Sequence, residues 1–194
     1  MGEGIARKYL KKFSLFELVI IAMVAAVGIA MKPVVVPLVH IITGPFFIPG
    51  GAIAGGFYMM WIVVGAGLVG KPGTATLIAL VQAILVVATG IFGTHGIMSM
   101  LTYLAPGIAV DLFLFLSRQN AGNIFSCFFA GMVANISGTV LTNFVFFKLP
   151  AIPLVLALAG GALSGGLGGI LAYVIVRGLK RIDLPWFRYG KSGK

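Results

Sequence analysis

Apolar residues run along this chain in blocks long enough to cross a bilayer, and the breaks between the blocks set its architecture. Six blocks stand out: Phe13 to Met31, Gly50 to Val69, Thr74 to Phe92, Ile97 to Leu116, Ile124 to Phe146 and Leu154 to Val176. Each has the length and apolarity of a helix crossing about 30 Å of hydrocarbon. Three of the breaks are short turns: Lys71-Pro72-Gly73, Gly93-Thr94-His95-Gly96 and the polar run from Arg118 to Asn123. The pattern predicts an all-α integral membrane protein with six transmembrane helices. Residues 1–12 form a basic arm, 13–180 a single membrane domain and 181–194 a tail.

The first break is of another kind. Pro33 to Pro49 holds four prolines in an otherwise apolar stretch. Proline removes a helical donor and crowds the turn before it, so one continuous helix is not expected there. Irregular apolar backbone cannot face lipid with its peptide groups unsatisfied. The segment is therefore expected to be re-entrant, or to fold as a lid over a cavity mouth; a short tilted span is the alternative.

Two helical stripes carry the candidate chemistry. In span one, Ala22, Ala26 and Ala30 recur every fourth residue and stack on one side of a helix. Helices in lipid associate by close approach across such small residues, so the stripe docks either a partner or a neighbour in the same chain. In span five, Gly131, Asn135, Thr139 and Asn143 are also spaced by four, with Thr142 beside them. That polar face is either the wall of a solute pocket or interhelical hydrogen-bonding glue, worth about 1 kcal/mol per contact. Tyr58, Trp61, His95, Ser99, Thr102, Tyr103 and Lys148 fall at the same end of the other spans.

The candidate substrate-binding set is thus Tyr58, Trp61, His95, Tyr103, Asn135, Thr139 and Asn143. Its aromatic and neutral hydrogen-bonding groups suit a small planar molecule and offer no counter-charge for a cation. Asp111 is an acid inside a span, with three roles open to it: structural pairing, coupling or ligand contact.

Composition and charge narrow the function classes. The chain is 60% hydrophobic and 9% charged, with mean hydropathy +1.12, which excludes a soluble domain. The net charge of +10 does not signal nucleic acid, because the basic residues flank the spans. With the N-terminus inside, twelve of the 14 Lys and Arg residues fall on the cytoplasmic side, leaving Lys32 and Lys148 outside. That bias puts both termini in the cytoplasm. The first apolar run is too long for a cleavable signal and is expected to be retained.

One cysteine and two histidines form no ligand cluster, so no metal is expected. The chain has no Walker A motif, no paired acids, no Ser-His-Asp arrangement and no HExxH helix, so no enzyme and no cofactor are expected. A solute-binding membrane subunit and a self-sufficient carrier remain. The carrier would be expected to show more membrane acids or an internal repeat of interrupted helices.

Small size, six spans, cytoplasmic termini, the Ala22-xxx-Ala26-xxx-Ala30 stripe and the long outer segment after it together resemble a known family. It is the substrate-binding S component of energy-coupling factor (ECF) vitamin transporters, and the likeness covers roughly residues 13–180. The resemblance implies a prokaryotic plasma-membrane protein that captures a vitamin or vitamin precursor. It also implies docking through the alanine stripe to a membrane T component, with transport driven by two cytoplasmic ATPase subunits. Lys71-Pro72-Gly73 and Asp111 are similar to the thiamine or hydroxymethylpyrimidine branch, often labelled cobalt-type permease components. Spans two and three carry no acid, and Gln82 is the one strongly polar group of span three. A neutral pyrimidine or comparable precursor is therefore expected to bind more tightly than thiamine, and cobalt not at all. The rival assignment is a stand-alone secondary carrier or a small-solute or cobalt permease component.

Overall fold

The computed structural model describes residues 12–90 and 98–182, and among these the regular elements are all helical. In chain order they are α1 (Leu15–Thr43), a short 3-10 turn (Gly44–Phe46), α2 (Gly50–Val69), α3 (Thr74–Thr89), α4 (Met98–Leu116), α5 (Ile124–Thr142), a π-helical turn (Asn143–Phe147) and α6 (Ala151–Arg181). Five of the six helices are long and apolar enough to cross a membrane. The sixth, α3, has 16 residues and stops at Gly90, giving about 24 Å of helix rather than a full span.

Helix α1 begins with a capping box: Ser14 and Glu17 each bond the other's backbone N–H. It then runs straight through Pro33 and Pro37 to Thr43, for 29 residues. The break expected at Pro33 is therefore corrected. Most of the stretch from Pro33 to Pro49 continues the first helix, and the chain turns only from Gly44 onward.

The physical reason lies in the spacing and the neighbour. The two prolines are four apart, so the Pro33 carbonyl is the one that Pro37 cannot reach, and the defects stack on one side. The far end of α1 is in turn held by α2. The Gly50 N–H donates to His40 Nδ1 at 3.2 Å, and a Cβ at Gly50 would lie 2.7 Å from the Val36 carbonyl oxygen. Membrane helices tolerate proline where a neighbour holds the backbone in this way.

Helices α2, α5 and α6 pack into a tight group. A Cβ on Gly168 of α6 would strike the Gly56 carbonyl of α2, and one on Gly169 would strike the Cys127 carbonyl of α5. Glycine is required there because the backbones themselves are in contact. Ser164 of α6 donates to the Ile53 carbonyl and accepts from the Gly56 N–H at 3.0 Å, tying α6 to the α2 backbone. Around this seam the buried core consists of small and branched side chains, among them Ala25, Val63, Ile78, Val110, Ala130 and Ala172.

Candidate substrate-binding cavity

The other side of the bundle is open. A cavity of about 620 Å³ lies between α1, α2, α3, α4 and α5, within the range of small-molecule sites. Helix α1 contributes Gly28, Lys32, Val36 and His40, four residues apart and hence on one face. Helix α2 adds Tyr58, Met59 and Ile62, α3 adds Gln82, and α4 adds Ser99, Thr102, Tyr103 and Pro106. Helix α5 gives Gly138, Thr139 and Thr142, and the π turn gives Asn143, Phe146 and Phe147. Widened helical turns of this type recur at functional sites, because they aim side chains that a regular turn would place elsewhere. Here the Asn143 side chain accepts from the Leu149 N–H at 2.9 Å, which holds the turn closed.

Four of the seven residues expected at a substrate site line this cavity: Tyr58, Tyr103, Thr139 and Asn143. Asn135 does not. It is fully buried on the α5 seam and donates to the carbonyls of Ala52 at 2.8 Å and Gly161 at 2.7 Å, joining α5 to α2 and α6. Of the two readings of the polar face, glue describes Asn135 and pocket wall describes Thr139 and Asn143. The difference follows from Gly55 and Gly161, which bring α2 and α6 against Asn135 and leave no open space. Trp61 faces α1, its indole N–H 3.0 Å from Met31 Sδ, and is not in the lining. His95 lies outside the described residues. Lys148 is exposed at the close of the π turn.

The residue that sequence reasoning missed is Lys32. Assigned to an outer loop flank, it sits within α1 and points into the cavity. Its ammonium donates to the Tyr103 hydroxyl at 2.5 Å. It also lies 4.1 Å from the Tyr103 ring centroid and 5.0 Å from that of Tyr58, within cation–π range of both. The signal was present, since Lys32 is four residues from Gly28 and eight from His40. Ending the span at Pro33 hid it.

Asp111 is away from the cavity and acts as a cap. Its carboxylate accepts from the N–H groups of Gly73 at 3.2 Å and Thr76 at 2.7 Å, and from the Thr76 hydroxyl at 2.6 Å. Gly73 itself has no side chain to close the start of α3. A carboxylate from α4 therefore satisfies its orphan donors and complements its dipole. Nearby, Lys71 bonds Glu17 at 2.6 Å and the Lys12 carbonyl at 2.7 Å, tying the α2–α3 turn to the start of α1.

Ala22, Ala26 and Ala30 are all exposed, together with Met23 and Val27 beside them. The stripe is thus not used for packing within the described part of the chain.

Residues 16–137 match the family model described as "ABC-type cobalt transport system, permease component". The chain belongs to that family. Its place among these permease components makes it a transport protein rather than an enzyme. The fold also resembles a solved structure, "Crystal structure of an S-component of ECF transporter", with a TM-score of 0.72 and 19% sequence identity. The alignment covers 89% of this chain and 88% of that one. No curated protein sequence matches the chain.

Proposed function

We propose that this permease component is the substrate-capture subunit of an ECF-type importer, binding a planar vitamin or vitamin precursor in the cavity between α1 and α5. The observation that carries this reading is the cavity itself, about 620 Å³ with aromatic and hydrogen-bonding walls, in a chain with the fold of an S component. The family description names cobalt, but the cavity is far larger than an ion. Among the described residues no three His, Cys, Asp or Glu side chains gather into a group able to hold one. An organic solute fits these walls better than a metal.

The bare alanine stripe of α1 is the docking surface for a T component, which two cytoplasmic ATPases drive. Both termini lie in the cytoplasm of a prokaryotic cell, which puts Thr43 and the cavity mouth at the outer face. Cysteine introduced by Thr43→Cys in a Cys127→Ser background should react with an impermeant reagent from outside; reaction only from the cytoplasm would reverse the orientation. The substrate reading is tested by mass spectrometry of the small molecule that copurifies with detergent-extracted protein. A planar organic solute is expected. Recovery of cobalt would favour a metal permease, and recovery of a long-chain lipid would remove the importer reading.

A further inference from the structure

We infer that Gln82 is the specificity-determining residue of the cavity, and that the substrate class is a planar heterocycle with a hydrogen-bond donor and an acceptor side by side on one edge. This rests on the reading of the cavity as the solute site, to which it adds a residue and a chemistry.

Gln82 lies in the middle of α3, is buried at 5% exposure, and belongs to the cavity lining. Polar side chains buried between membrane helices are normally bonded to a neighbouring helix, as Asn135 is to the carbonyls of Ala52 and Gly161. The Gln82 carboxamide makes no such bond among the described residues. A buried amide without a partner keeps its full desolvation penalty, so the group is poised for a partner that enters the cavity. Several other polar groups of the lining are already engaged. The Tyr58 hydroxyl bonds the Gly51 carbonyl at 2.8 Å, the Thr102 hydroxyl the Ser99 carbonyl at 3.1 Å, and Lys32 the Tyr103 hydroxyl.

The surroundings fix where along the cavity Gln82 acts. Gly28 of α1 faces it, and a Cβ there would lie 2.4 Å from the amide nitrogen. A glycine at this position lets the carboxamide reach across from α3 to α1. On the cavity face of α1, Gly28 is the end opposite His40, twelve residues or about 18 Å of helix away. The buried Ile29 and Ile62 share the lining. Gln82 therefore meets the innermost edge of a ligand that enters from the His40 end.

A carboxamide is planar and presents one donor beside one acceptor, whichever way round it sits. It pairs at both points with an edge of the reverse order, as Asn and Gln do with the amino group and ring nitrogen of adenine. Two ligand edges qualify: an amino group next to a ring nitrogen, and a lactam N–H next to its carbonyl. An edge of acceptors alone would leave the amide oxygen unpaired. The rings of Tyr58 and Tyr103 in the same lining give such a flat molecule faces to stack on.

The test is calorimetry on the detergent-purified protein at mildly alkaline pH, with two matched pairs of neutral bicyclic probes. 4-Aminoquinazoline is set against 4-methylquinazoline, and quinazolin-4-one against its 3-methyl derivative. The first of each pair carries the full edge, and the second lacks the donor. At least one edge-bearing probe is expected to bind about 10- to 100-fold more tightly than its partner, the discrimination a two-point pair supplies. Which pair shows it tells an amino edge from a lactam. Gln82→Met, similar in length and without hydrogen-bonding groups, should erase the preference. The thermal midpoint of the ligand-free variant should hold or rise, because no bond is lost in it. Gly28→Ala keeps Gln82 but displaces its amide, and should narrow the preference several-fold. Equal binding within both pairs would overturn the inference, as would a preference that survives in Gln82→Met or is untouched by Gly28→Ala. A lowered ligand-free midpoint in Gln82→Met would make the residue structural and overturn it as well. So would failure of all four probes to bind at millimolar concentration. The solute-site reading is judged separately, by the molecule that copurifies with the protein.

Discussion

Helices α6 and α1 are the longest of the bundle, at 31 and 29 residues, and they meet their surroundings in opposite ways. Both carry a run of small residues. In α6 the glycines between Gly160 and Gly169 are used inside the protein, where Gly165, Gly168 and Gly169 lie against the backbones of α2 and α5 and Gly160 and Gly166 against the side chains of Ile53 and Phe128. In α1 the Ala22, Ala26 and Ala30 stripe faces outward. About 200° away, since Gly28 is two residues from Ala26, another face of α1 lines the cavity. Helix α6 contributes nothing to that lining. The difference teaches that small-residue spacing reports close approach without saying to what. Glycine without a Cβ permits backbone contact and builds the scaffold, while alanine leaves a smooth face that a second protein can use. The tight side holds the fold, and the looser side offers a cavity and a surface.

Substitutions on the two sides should separate accordingly. The largest effect is expected at Gly168→Val, where the added atoms meet the Gly56 backbone and nothing can give way. Overpacking of this kind should cost about 3 kcal/mol and lower the midpoint of thermal unfolding in detergent. An unchanged midpoint would mean that α2 and α6 are not in backbone contact. Next comes Asp111→Asn, which weakens three charge-assisted bonds at the start of α3 and should cost about 2 kcal/mol. Because Asp111 is remote from the cavity, ligand affinity should stay near wild type; a large loss of affinity would revive a coupling role. Smallest is Asn135→Ala, which removes two interhelical bonds at about 0.6 kcal/mol each, the lower end for such contacts between membrane helices. A selective loss of binding in this variant, without loss of stability, would return Asn135 to the site.

These residues also mark what was legible in the sequence. The six apolar blocks gave the number of helices, and spacing by four put Thr139 and Asn143 on one face, where both line the cavity. Asn135 falls outside the cavity lining, because spacing by four cannot say where along a face the open space ends; Gly55 and Gly161 on other helices decide that. The length of α1 was hidden by Pro33 and Pro37, since local propensity favours a break and the packing of His40 against Gly50 overrides it. With the helix cut at Pro33, Lys32 read as a flank charge and the cavity as uncharged.

The central claim is that α1 serves the solute with one face and a partner with the other. Ala26→Trp tests it most directly, because the bulk is added on the exposed face and touches nothing that lines the cavity. The measurement is copurification of the T component with this variant, made alongside solute binding by the isolated subunit. The account predicts that the T component is lost while solute affinity stays at the wild-type value, since a bulky ring holds the two helices apart and forfeits their dispersion contacts. A T component that still copurifies with Ala26→Trp would contradict it.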